Sequence, residues 1–141
     1  ASRKMKLRVY PNMSGNSTVD PAGKERELEE RGNLSYRSRR MYLACSREEV
    51  VDTISLDQLI QQLGLERVDL VKIDAEGSEE TIINAISKST WAKINAIVLE
   101  THDTGNRVKT IKRKLEEAKF RSVRVSRDRR VPSNVYLHAR R

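Results

Sequence analysis

Cysteine, glycine and aromatic residues are all scarce in this 141-residue chain, and each shortage removes a class of protein. The single Cys45 cannot close an internal disulfide, so a reducing compartment is expected, with the cytoplasm as default. His102 and His138 are the only imidazoles, and no pair among these three has zinc-finger spacing; no metal is assigned, although carboxylates suited to magnesium remain. The six glycines, at 15, 23, 32, 64, 77 and 105, stand at least eight positions apart. Neither GxGxxG nor GxxxxGK can be written, which excludes the usual loops that bring backbone N–H groups against phosphate. One Trp, one Phe and four Tyr preclude a core rich in rings. Runs such as Ala96-Ile97-Val98-Leu99 fall far short of the ~20 apolar residues that span a bilayer, and no signal-peptide order opens the chain, so no membrane partner is expected.

What the chain does hold is charge and aliphatic residues. Lys and Arg number 28 against 20 Asp and Glu, a net +8, so contact with an anionic partner is physically reasonable. Length fits one domain or part of a larger one. Only six Ile, Leu or Val occur in residues 1–49 but 27 in residues 50–141, which predicts a peripheral first segment (1–49, a strand and long loop) and an α/β core (50–141). Residues 6–10 alternate as a strand, 11–17 read as a loop, 19–40 as a long loop with a short helix at 24–30, and 41–45 as another strand.

The later segment is better punctuated. Ser55 and Gln58 have capping-box spacing before Leu56, Leu59, Ile60 and Leu63, and Gly64 can end that helix. Residues 68–74 read as an apolar strand, Ser78 to Trp91 as a helix with Ile82, Ile83 and Ile86 inward, and 94–100 as a second strand apolar on both faces. Asp103 or Thr104 caps a third helix whose stripe is Val108, Ile111, Leu115 and Ala118. Residues 121–125 and 134–139 then form an antiparallel pair, because the turn between them is too short for a crossover.

Chemistry concentrates at Lys72-Ile73-Asp74-Ala75-Glu76-Gly77-Ser78-Glu79-Glu80, a strand tip followed by a helix start, where open α/β sheets bind ligands. Spacing alone favours reading Glu76, Glu79 and Glu80 as complements of a helix N-terminus and Asp74 as the cap of a turn. The other strand ends Leu99-Glu100-Thr101-His102; if the two are parallel neighbours, Asp74, Glu76, Glu100 and His102 converge, with His102 suited to act as a base. A lone His at a strand end is more often a surface or hydrogen-bonded residue. The basic segment Lys119, Arg121, Arg124, Arg127, Arg129, Arg130, Arg140 and Arg141 lacks interleaved aromatics, which favours a solvated edge over nucleic-acid binding.

Residues 68–79, with Thr53-Ile54-Ser55-Leu56-Asp57-Gln58-Leu59 before them and Ile97-Val98-Leu99-Glu100-Thr101-His102 after, resemble the FkbM family of S-adenosylmethionine-dependent methyltransferases. A weaker resemblance covers residues 7–18. The resemblance implies a partial Rossmann-like methyltransferase sheet, with parallel central strands and a C-terminal antiparallel hairpin, and methyl transfer to a hydroxyl of a sugar or other small molecule. It implies that Asp74 and Glu76 face the cofactor. His102 with Asp74 is then the expected catalytic pair, and Glu100 and Lys72 are the expected acceptor contacts. The alternative reading is a non-catalytic module using its basic edge on nucleic acid or an acidic partner.

The glycine spacing departs from the family, whose members carry a Gly-rich cofactor loop upstream. The chain therefore resembles the latter half of such an enzyme, incomplete or inactive alone. In the family topology the strand at 68–74 pairs with the missing first strand. Its open edge is expected to self-associate, recruit a complementary chain, or receive the N-terminal strand.

Overall fold

Four strands in the order β3-β4-β6-β5 organise the C-terminal part of the chain: β3 (Val71–Ile73), β4 (Ala96–His102), β5 (Ser122–Arg127) and β6 (Asn134–Arg140). The computed structural model describes residues 3–30, 35–129, 131 and 133–141. The fold is mixed α/β and falls into two units: one runs to Thr53 and includes Glu76–Ser78, the other comprises Ile54–Ala75 and Glu79–Arg141.

In the C-terminal unit β3 and β4 are parallel, as the intervening helices require, while β6 runs antiparallel to both β4 and β5. Alternation along the strands puts Ile73, Ile97, Leu99, Val135, Leu137 and Ala139 on one face. There they are buried with Ile83, Ile86, Ile94, Ile111, Leu115 and Phe120. The opposite face carries Lys72, Val98, Glu100, Tyr136 and His138, so β4 is not apolar on both faces as its composition suggested. Helix α3 (Leu56–Gln62) begins at the expected capping box: Ser55 Oγ accepts from Gln58 N, Gln58 Oε1 from Ser55 N, both at 3.1 Å. Gly64, at φ +62°, follows the helix where a left-handed residue is needed. Only Ile60 of its apolar stripe is fully buried; Leu59 and Leu63 are exposed.

Three boundaries differ from expectation. Strand β3 is only three residues long; Val68 makes an isolated parallel bridge to Ile94, and Leu70 is exposed. Asp69 between them turns outward to accept from Arg67 Nε at 2.7 Å and Asn95 Nδ2 at 3.2 Å. The single helix expected up to Trp91 is two, α4 (Glu79–Ala85) and α5 (Lys88–Lys93). Ser87 breaks it by capping α5 through Thr90 N at 3.3 Å, while Asp57 of α3 accepts from Ser87 N at 3.2 Å. Helix α6 (Arg107–Glu117) starts after Asn106 rather than at Asp103 or Thr104, with Ile111 and Leu115 buried as the periodicity requires.

In the N-terminal unit β1 (Arg3–Val9) pairs antiparallel with β2 (Arg47–Thr53) in a separate two-stranded ribbon, so β1 is not a strand of the four-stranded sheet. Strand β2 escapes sequence reading because Glu48, Glu49 and Asp52 break its apolar pattern. Glu48 and Asp52 stand opposite Arg8 and Lys4, with Glu48 meeting Arg8 at 2.9 Å and Lys6 at 3.3 Å, while Glu49 pairs with Arg47 of its own strand at 2.7 Å. Pro11 opens a 3-10 helix, Pro11–Asn16, where a loop was expected. Helix α1 (Pro21–Glu30) contains the short helix expected at 24–30 and starts three residues earlier; Asp20 Oδ1 accepts from Gly23 N at 2.9 Å and Pro21 supplies a preset φ. The strand expected at 41–45 is wrong: Ser35 caps α2 (Tyr36–Leu43), and the Arg, Met and Leu residues there are good helix formers.

Candidate functional site

The parallel register Val71↔Ile97, Ile73↔Leu99 brings the residue after β3, Asp74, level with Glu100 of β4. Lys72 Nζ donates to Asp74 Oδ2 at 3.0 Å; the pair is exposed, so it is weak and exchangeable. The Asp74 carboxylate raises the Lys72 pKa, with Glu100 and Tyr136 adding to the effect. Across the sheet, Glu100 Oε1 accepts from Asn134 Nδ2 at 3.1 Å and Tyr136 Oη at 3.4 Å. The charge on Glu100, more than burial or Asp128, pushes the Tyr136 phenol up, so Tyr136 stays protonated and donates. Lys72, Asp74 and Glu100 thus come together on the sheet face opposite the core. His102 lies two residues beyond Glu100 on the same face by alternation, paired across the ladder with Asn134, and is buried.

Glu79, the first residue of α4, is 2 % exposed. Its Oε1 accepts from Ala75 N at 3.1 Å and its Oε2 from Thr101 Oγ1 at 3.3 Å, joining the end of β3 to the end of β4. The sequence reading that made this carboxylate a helix-terminus complement therefore missed its tertiary role. Asn134 and Tyr136 were missed as well. Their shared parity with His138 is visible in the sequence, but nothing local says that β6 lies beside β4.

Glu76 belongs to the N-terminal unit. Its Oε2 lies 2.7 Å from Lys24 Nζ, and its carbonyl accepts from Thr18 Oγ1 at 2.7 Å. Its φ of +45° is followed by +102° at Gly77, so two successive left-handed residues make the strand-to-helix turn. The expected spacing of Asp74 and Glu76 on one extended strand does not hold, because the strand has already ended at Ile73. Among the described residues no group of three His, Cys, Asp or Glu side chains is placed to hold a metal ion.

The basic edge is only partly open. Arg141 donates to the carbonyls of Ile94, Trp91 and Ala118 at 2.8, 2.7 and 3.1 Å and lies over the Phe120 ring. Arg127 pairs with Asp103. Arg121, Arg124, Arg129 and Arg140 are exposed, and Arg130 lies outside the described residues. No helix among the described residues is long and apolar enough to cross a membrane.

Compared with known proteins, residues 10–122 match the family described as the Methyltransferase FkbM domain. Methyltransferase sdnD of Sordaria araneosa is 29% identical, over 87% of this chain and 50% of that protein. Methyltransferase 1 of Beauveria bassiana is 28% identical over 94% and 52%. The 31-O-demethyl-FK506 methyltransferase FkbM of Streptomyces tacrolimicus is 32% identical over 40% and 22%. The chain spans about half the length of the Sordaria araneosa and Beauveria bassiana proteins. No solved structure matches it.

Proposed function

Since the chain belongs to the FkbM methyltransferase family, we propose that it carries the acceptor side of an S-adenosylmethionine-dependent site that methylates a hydroxyl oxygen of a sugar or another small molecule. S-adenosylmethionine supplies an electrophilic methyl on a sulfonium. The single observation that carries the reading is the constellation of Lys72, Asp74 and Glu100 at the ends of β3 and β4 with Asn134 and Tyr136 at the start of β6, on the sheet face opposite the core. Carboxylates there suit a sulfonium cation and the hydroxyls of an acceptor. The closely spaced glycines that would approach a nucleotide are not in this sequence, so the fit covers the acceptor side. Strand order β3-β4-β6-β5 with an antiparallel closing pair supports the Rossmann-like assignment.

In this reading Asp74, held only by an exposed ion pair, exchanges Lys72 for a ligand group, and Lys72 then contacts the acceptor. Glu100, oriented by Asn134 and Tyr136, accepts from an acceptor hydroxyl. His102 takes the hydroxyl proton. The test is calorimetric titration with S-adenosylhomocysteine: micromolar binding lost in Asp74→Ala supports the site, and no heat at millimolar ligand refutes cofactor binding by this chain.

A further inference from the structure

Lys24 is an unusual residue for the position it occupies. Its side chain is 1 % exposed, and lysines are almost never fully buried without a partner that keeps them there. One such partner, Glu76, lies 52 positions away in sequence at the apex of the strand-to-helix turn. Thr18, itself 1 % exposed, donates to the Glu76 carbonyl and accepts from Asp20 N at 3.0 Å, just before α1 begins. Arg8 of β1 in turn exchanges both backbone hydrogen bonds with Thr18, at 2.8 and 3.0 Å. Glu76 is therefore gripped at both its carboxylate and its carbonyl, in a left-handed conformation that a non-glycine residue adopts only when its surroundings hold it there.

We propose that Lys24 and Glu76 form a buried latch, with Thr18 as its second contact, and that Glu76 is a positioning residue rather than a cofactor ligand. The latch holds the turn that follows Asp74. Its relevance to methyl transfer rests on the function proposed above; its existence does not. The chemistry favours this role over ligand binding: the carboxylate at 76 already pairs at 2.7 Å with an ammonium withdrawn from water, and releasing it to a ligand would take a charge partner from that buried ammonium.

The experiment compares Lys24→Met, Glu76→Gln and the double variant in the full chain. Each single variant is expected to lower the melting midpoint by about 10 °C, since breaking a buried pair is costly, whereas the double falls by clearly less than the sum. Amide exchange at Gly77 and Ser78 is expected to quicken about tenfold or more in each single variant. S-adenosylhomocysteine binding should weaken similarly in Lys24→Met and Glu76→Gln. Additive midpoints, or unchanged exchange at Gly77 and Ser78, would overturn the latch. Binding lost in Glu76→Gln but intact in Lys24→Met would make Glu76 a ligand contact instead. If Lys24→Met fails to fold, Glu76→Gln at its 23 %-exposed side chain carries the exchange comparison. Should the parent chain bind no S-adenosylhomocysteine, the proposed function fails while midpoints and exchange still decide the latch.

Discussion

Replacing Leu137 by alanine probes the sheet order directly. Leu137 is fully buried in β6, opposite Leu99 of β4 on one side and Val125 of β5 on the other. The substitution removes three carbons, roughly 2.4 kcal/mol of transfer free energy at about 0.8 kcal/mol per methylene. Because hydrogen-bonded ladders hold both flanking strands, the gap closes poorly, and a cavity term of about 1–2 kcal/mol is added. The expected loss is therefore about 4 kcal/mol, which for a chain of this length lowers the melting midpoint by about 13 °C. Trp91 fluorescence is the assay, since this indole packs edge-on against Phe120 at 5.9 Å within the same unit and is the only tryptophan in the sequence. Val50→Ala, at a 66 % exposed position of β2, serves as control and should move the midpoint little. A Leu137→Ala midpoint within about 3 °C of the parent, with a cooperative Trp91 transition, would refute the placement of β6 at the centre of the core.

Two further expectations follow from charge. Burial alone would raise the Asp57 pKa, but hydrogen bonds from Thr90 and Ser87 outweigh it and hold the carboxyl below its usual value. Its stabilising contribution is thus present above the unfolded pKa and lost as pH falls through the folded one, and Asp57→Asn should flatten the acid limb of an equilibrium unfolding profile; an unaltered limb contradicts the tie between α3 and α5. At the other end, the Tyr136 phenol should titrate above its ordinary value by ultraviolet absorbance and move down in Glu100→Gln, because Glu100 is the main cause of the rise. Stability from this group is complete below the unfolded pKa and declines as pH rises through the folded one. No movement on removing the Glu100 charge would separate the two residues.

Local signals in the chain were legible where physics is local. The Ser55–Gln58 box satisfies backbone donors within one turn, Gly64 permits a left-handed end, and the stripe through Ile111 and Leu115 repeats at the helical period; each appears in the structure. The family motif around Asp74 was legible too, as were two parallel strands and a closing hairpin. Elements whose stability depends on distant partners were not. Strand β2 carries Glu48, whose charge makes sense only beside Arg8 and Lys6, and the break before α5 depends on Asp57 as well as on Ser87.

The candidate site divides in the same way. Sequence by itself determined that carboxylates, a lysine and a histidine end two buried strands, because composition and alternation are properties of a single segment. Tertiary structure alone decided that Asn134 and Tyr136 orient Glu100, that Glu79 bonds Thr101, and that Glu76 is held by Lys24. Partnership between groups dozens of residues apart is set by which strands and turns the fold brings together, and no local preference encodes that choice.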